Sequence, residues 1–244
     1  MIIKICGMQH AEDIEAAAQM GVHLLGFNFI PNNPHFVRMI SSQAGIIPDY
    51  AEKHLRKTNK SSDASTSHAK TSRVGVFADD MPQNIVTRIY NYALDYVQLN
   101  GNEPAVTLEN LRRTIDPDIH KGIKIIKRIA ISSPADFDKA AEYEGKADLL
   151  LFDVADVSSL ANEMQHQSAD GGGNSPLNTL FSAYTGTTPF LISMPAAPFP
   201  ASCISSINHP LFAGVNLDTQ FEQEPGKKDM TAMASYLDGF NNIR

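Results

Sequence analysis

The sequence predicts a (β/α)8 barrel of the TIM type, and three observations carry that prediction. Short apolar runs of strand length recur eight times, and segments with helix starts or helix formers separate them. The runs are apolar on consecutive positions, as in parallel strands covered on both faces. Reactive and polar residues gather just after the runs, at the end where a parallel barrel carries its chemistry. A chain of 244 residues is long enough for one such domain, and we expect residues 1–244 to form one. A doubly wound open sheet is the alternative, but no G-x-G-x-x-G or P-loop supports a nucleotide fold.

The first strand is Ile2-Ile3-Lys4-Ile5, closed by Gly7. Side chains alternate along it, so Lys4 and Cys6 share one face and Ile3 and Ile5 the other. Ala11–Gln19 is rich in helix formers and stops at Gly21. His23–Phe29 is the second strand, and Pro31-Asn32-Asn33-Pro34 is a turn-rich loop. Ser41 or Ser42 is expected to cap a helix that runs to about Leu55. Arg56–Ser72 has no apolar periodicity and reads as a mobile polar insertion.

Arg73–Phe77 is the third strand, and Pro82 starts a helix to about Leu94. Tyr96–Leu99 is the fourth, followed by a helix from near Pro104 to Ile115. Ile123–Ile129 is the fifth, with a helix opening at Pro134. Ala147–Asp153 is the sixth, and a polar segment with Gly171-Gly172-Gly173 leads to a helix over Leu177–Tyr184. Phe190–Ser193 and Phe212–Asn216 are the last two strands, with a short helix near Ser202–Ile207 between them and a closing helix over Asp229–Phe240.

Composition narrows the function. The formal net charge of -7 argues against a general nucleic-acid or acidic-membrane binder. Two cysteines, Cys6 and Cys203, make no disulfide framework, and no basic leader or long apolar span is present. A cytoplasmic protein with a small-molecule ligand is the expectation, without nucleic acid or membrane as partner.

The strand ends hold the candidate chemistry. Cys6 beside Lys4 has two readings: a thiol activated by a neighbouring ammonium, or a small buried hydrophobe. Leu149, Leu151 and Asp153 share a face, so Asp153 can point into the barrel mouth. Taken alone it can equally tether the following loop. No cluster of His, Asp and Glu with metal-ligand spacing appears at these ends.

Read in order, the strand ends give Ile5-Cys6-Gly7, Gly26-Phe27-Asn28-Phe29 with Asn33-Pro34-His35-Phe36-Val37, Val74-Gly75-Val76-Phe77, and Val97-Gln98-Leu99-Asn100-Gly101-Asn102-Glu103. They continue with Leu150-Leu151-Phe152-Asp153, Gly171-Gly172-Gly173, Gly214-Val215-Asn216 and Pro225-Gly226-Lys227-Lys228-Asp229. The series resembles the phosphoribosylanthranilate isomerase family, whose pattern runs K-I-C-G, G-F-x-F, S-P-R-Y-V, V-G-V-F, V-Q-L-H-G-x-E, L-L-D, G-G-x-G, G-V-D-x-S-S-G and P-G-x-K-D.

The resemblance implies an Amadori isomerase of tryptophan biosynthesis that needs no cofactor. Its substrate would be N-(5-phosphoribosyl)anthranilate and its product 1-(2-carboxyphenylamino)-1-deoxyribulose 5-phosphate. It implies Cys6 as general base and Asp153 as general acid. The substrate-binding positions fall on His35, with Arg38 nearby, and on Asn100. The phosphate-binding positions fall on Gly172, Gly173, Asn216 and Thr219.

The sequence departs from that pattern at its grips. His35 stands where the loop arginine would hold a carboxylate, and it lacks the bidentate, permanently charged fork. Met194-Pro195 replaces a glycine pair, and proline offers no N–H to a phosphate. Asn216 replaces an aspartate, and Asp218-Thr219-Gln220 replaces S-S-G. The expectation is that Asp218 points outward and leaves Thr219 and backbone N–H groups to face the anion. A repurposed paralogue binding another ligand or a protein partner, or a related sugar-phosphate epimerase, are the alternative functions.

Overall fold

A computed structural model describes residues 1–38, 40–42, 45–47, 71–154, 176–195 and 197–241. In chain order, β1 (Ile2–Ile5), α1 (Ala11–Gln19) and β2 (Leu24–Asn28) lead to β3 (Ile40–Ser42) and β4 (Gly45–Ile47). Next come β5 (Ser72–Phe77), α2 (Pro82–Tyr92), β6 (Tyr96–Leu99), α3 (Ala105–Ile115) and β7 (Lys124–Ile131). A 3-10 helix over Pro134–Tyr143 precedes β8 (Leu149–Val154) and α4 (Pro176–Phe181). The chain closes with β9 (Phe190–Ser193), α5 (Ala201–Ser205), β10 (Phe212–Leu217), β11 (Glu222–Glu224), β12 (Lys227–Lys228) and α6 (Met230–Asn241).

Eight parallel strands close a barrel in the order β1-β10-β9-β8-β7-β6-β5-β2, so the predicted barrel is the observed one and the open sheet is excluded. Closure runs through β1, which pairs with β10 on one side (Lys4 opposite Asn216) and β2 on the other (Lys4 opposite Leu24). Period-two alternation divides the core. Leu24, Val74, Ile126, Leu149, Leu151 and Leu191 fill the barrel interior. The opposite faces, with Ile5, Leu25, Phe77, Ile125, Leu150, Phe152 and Phe190, pack against the helices. The lower lumen is therefore an apolar plug, and the polar inward positions lie nearer the C-terminal rim.

Two elements differ from expectation. Ser41 and Ser42 sit in an antiparallel hairpin of β3 and β4, where a helix was expected to start. Isoleucines at 40, 46 and 47 favour extended backbone through their branched Cβ, and this outweighs the capping signal of the serines. The segment opening at Pro134 is a 3-10 helix, started by a capping box in which Ser133 and Asp136 satisfy each other's backbone. Most of the predicted insertion over 56–72 and the glycines at 171–173 lie outside the described residues, and Ser72 already belongs to β5. Among the described residues no helix is long and apolar enough to cross a membrane.

Candidate active site

Cys6 follows the last residue of β1, and its N–H is fixed by the Leu217 carbonyl at 2.7 Å. Its thiol occupies space that exists because residue 26 is glycine: a Cβ on Gly26 would run into Cys6 Sγ. Gly7 then turns the chain with φ +73°, a left-handed conformation that favours glycine, beneath the His35 ring. Lys4 is fully buried, donates from Nζ to Cys6 Sγ, and donates a second bond of 2.6 Å to Asn216 Oδ1. Burial nevertheless dominates and pushes the Cys6 thiol above its ordinary value. The Lys4 ammonium pulls the other way by a smaller amount, and the Asp218 charge adds to the rise. Lys4 is thus in place as expected, yet the resting form of Cys6 is the thiol.

Asp153 lies on β8, three strands round the barrel from β1. Its Oδ2 accepts two bonds from Arg128, from Nε at 2.9 Å and from Nη2. Arg128 stands on β7, in register with Leu151, one pleat below Asp153. Two strands on, Gln98 on β6 donates to Asn100 Oδ1 at 2.8 Å, while its own Oε1 is buried without a partner among the described residues. Asn100 is half-buried just past the end of β6.

The loops on the β1, β2 and β10 side are tied to one another. His35 is buried; its Nδ1 meets Asn33 Oδ1 at 3.2 Å and its Nε2 meets the Glu222 carboxylate at 3.0 Å. Glu222 also accepts from Lys228 Nζ at 2.6 Å, and Lys228 donates to the Asp218 carbonyl. The β11–β12 hairpin is therefore strapped to the β2 loop. Arg38, three residues beyond His35, is exposed and lines an open cleft of about 890 Å³ with Gln9 and Asn33.

The rim of β9 and β10 is filled from within. Gln220 is buried and donates to the carbonyls of Met194 and Pro195 at 2.7 Å each, while its Oε1 accepts the Asp218 N–H. The Asp218 carboxylate lies beside Gly7 and acts on the Cys6 thiol, so it faces the mouth and not outward as expected. Thr219 is exposed. Asn216 is buried within β10 on the Lys4 ammonium, with its amide group 3.5 Å from Ser193 Oγ.

Sequence reasoning brings Cys6, Lys4, Asn216 and Asp153 to one end of the barrel, and the structure places them there. It missed Arg128, Gln220 and Glu222. Alternation from Ile126 signals that Arg128 faces inward on its strand. Gln220 and Glu222 carry no comparable local signal, because their partners are 25 or more residues away or reached only through the loop fold.

A closed parallel barrel with a buried thiol and a carboxylate at one rim has the architecture of an acid–base barrel enzyme. The chain belongs to the N-(5'phosphoribosyl)anthranilate (PRA) isomerase family, whose pattern matches residues 35–173. A curated N-(5'-phosphoribosyl)anthranilate isomerase of Parabacteroides distasonis is 30% identical over 237 residues, covering 97% of this chain and 92% of that one. The crystal structure of phosphoribosyl anthranilate isomerase from Thermotoga maritima superposes with a TM-score of 0.67 at 21% identity, covering 99% of this chain and 100% of that one. Another solved phosphoribosyl anthranilate isomerase, in complex with reduced 1-(o-carboxyphenylamino)-1-deoxyribulose 5-phosphate, gives a TM-score of 0.63 at 21% identity, covering 99% and 100% of the two chains.

Proposed function

We propose that this chain isomerises N-(5'-phosphoribosyl)anthranilate to 1-(2-carboxyphenylamino)-1-deoxyribulose 5-phosphate, with Asp153 as general acid and Cys6 as general base. The observation that carries the proposal is the placement of both groups at the C-terminal rim, just after β1 and on β8, with side chains on the inward faces. In this reading Asp153 protonates the furanose ring oxygen, and the C1–O bond breaks as the aryl nitrogen lone pair forms the Schiff base. The Cys6 thiolate then removes the proton from C2, giving an enolamine that tautomerises to the ketone. In the resting site burial holds Cys6 as the thiol and Asp153 is engaged by Arg128, so in this reading substrate binding has to free both groups for their roles.

The same proposal takes residues 1–244 as one domain with 56–72 as an insertion, and takes the protein to be cytoplasmic. One observation favours the second reading, a repurposed barrel. Phosphate cradles in such barrels use backbone N–H groups after the seventh and eighth strands. Here Gln220 already takes the Asp218 N–H, and the Asp218 carboxylate is close by. A fluorescence assay of substrate consumption by the purified chain decides between them. Turnover is the expected result; none, together with no binding of the product by calorimetry, would overturn the isomerase reading.

A further inference from the structure

We infer that Arg128 is the residue that recognises the carboxylate on the aryl ring of the substrate, exchanging Asp153 for it on binding. This rests on the isomerase reading above. An aryl carboxylate held in a barrel mouth calls for a cation with free donors. Lys4 is buried on Cys6 and Asn216. Lys127 is 3% exposed and held by Glu103 at 2.7 Å and by the Gly101 carbonyl at 2.6 Å. Lys228 is fully buried between Glu222 and the Asp218 carbonyl. His35 already holds a carboxylate, that of Glu222. Arg38 is on the outer loop, at the cleft with Gln9 and Asn33.

Arg128 differs from all of these. Its side chain is 36% exposed, and among the described residues its bonds go from Nε and Nη2 to a single oxygen of Asp153. The guanidinium fork thus has donors to spare for a second carboxylate. Position favours the aryl end over the phosphate end. Around the barrel β8 lies between β9 and β7. A sugar seated over Asp153 with its phosphate toward β9 and β10 sends its aryl group toward β7, where Arg128 stands.

The exchange also serves the chemistry. An ion pair with Arg128 needs Asp153 as carboxylate, whereas the acid role needs the protonated carboxyl. When the guanidinium moves to the carboxylate of the substrate, Asp153 is released from it and is free to face the sugar ring. Arg128 is therefore a specificity residue whose donors are offered to the carboxylate of the substrate.

The test compares wild type, Arg128→Ala and Arg128→Lys on N-(5-phosphoribosyl)anthranilate and on the phosphoribosyl derivative of aniline, which lacks the carboxylate. Arg128→Ala should raise KM for the first substrate roughly 10- to 100-fold, the worth of a charge-assisted pair. Arg128→Lys should recover part of it, since it keeps the charge and loses the fork. On the aniline derivative wild type and Arg128→Ala should agree within about twofold, because the missing partner has already removed the interaction. Thermal unfolding of the variants should match wild type and exclude misfolding. Equal losses on both substrates, or no loss on either, would overturn the role of Arg128 while leaving the isomerase intact. Absence of wild-type turnover on the carboxylated substrate would overturn the isomerase reading and this inference together.

Discussion

The two halves of the barrel mouth are built on opposite principles. On the β1, β2 and β10 side, the polar groups that line the mouth are consumed by other parts of the chain: Lys4 by Cys6 and Asn216, His35 by Glu222, Lys228 by Glu222 and Asp218, and Gln220 by two carbonyls and an N–H. On the β6, β7 and β8 side, hydrogen-bonding capacity is left over. Among the described residues Gln98 Oε1 is buried without a partner, and the Arg128–Asp153 pair is about one-third exposed on both members. A buried polar group without a partner costs about 1–3 kcal/mol, so a protein that leaves one there gains by offering it a ligand. The satisfied half fixes the thiol and the loops; the proposal places the substrate's added contacts on the other half.

If the proposed roles hold, the largest effects come from removing the proposed proton carrier in each half. Cys6→Ser and Asp153→Asn should each lower kcat by roughly two to four decades, the usual contribution of a positioned acid or base. Both substitutions keep the shape of the side chain, so substrate binding measured by calorimetry should change far less. A rate within about threefold of wild type in either variant would remove that residue from the mechanism.

Stability should respond in the opposite sense, with the satisfied half the more sensitive. Glu222→Gln removes the carboxylate that joins His35 to Lys228, whose side chain is fully buried. Leaving that buried ammonium without its paired carboxylate should cost about 2–4 kcal/mol, read as a lower urea midpoint at unchanged m-value. Arg128→Ala, on the other side, should shift stability by less than about 1 kcal/mol, because its ion pair is open to solvent. If the two variants unfolded at the same midpoint, the contrast between the halves would be gone.

The buried thiol sharpens the same contrast through pH. Burial raises the Cys6 pKa, so in alkali the unfolded chain loses this proton before the folded chain does. The folded state then binds more protons, and stability falls as pH rises. The loss begins near the ordinary thiol value of about 8.5 and continues until the folded thiol ionises, at up to about 1.4 kcal/mol per pH unit. Urea unfolding of wild type and Cys6→Ala should therefore converge as pH rises from about 8 to 10. A constant difference would show that the Lys4 ammonium fully offsets burial.

The barrel and the gathering of Cys6 and Asp153 at one rim were legible in the sequence because they rest on local alternation. Ile2 to Cys6 and Leu149 to Asp153 each state by period two which side chains share a face. The hairpin at 40–47 was misread because serines signal a cap locally, while β-branched neighbours decide the backbone. The direction of the Cys6 shift was not legible either: sequence spacing shows the charge of Lys4 but not the closure of the barrel that dehydrates the thiol. Nor was the outcome for Asp218, because Gln220 takes its N–H and Lys228 its carbonyl, which fixes that loop through contacts that only the fold creates.

The finest test of the contrast is a pair of glutamines. Gln220, on the satisfied side, bridges two carbonyls and the Asp218 N–H, whereas Gln98, on the other, donates to Asn100 and leaves Oε1 without a partner among the described residues. Replacing either by leucine keeps much of the volume and removes the amide. Gln220→Leu strands the Met194 and Pro195 carbonyls and should cost about 2 kcal/mol of stability. Gln98→Leu removes a group that is already half unsatisfied, and the acceptor it abandons, Asn100 Oδ1, is half-buried near water. Its stability should stay within about 0.5 kcal/mol of wild type, and apolar burial in the lumen can make the change favourable. Its cost should appear on the ligand instead. A donor from the substrate that would have satisfied Oε1 loses its acceptor, and KM should rise about fivefold, the worth of one neutral hydrogen bond. Equal stability losses for the two leucine variants, with KM unchanged in Gln98→Leu, would show that the unpaired oxygen serves no ligand.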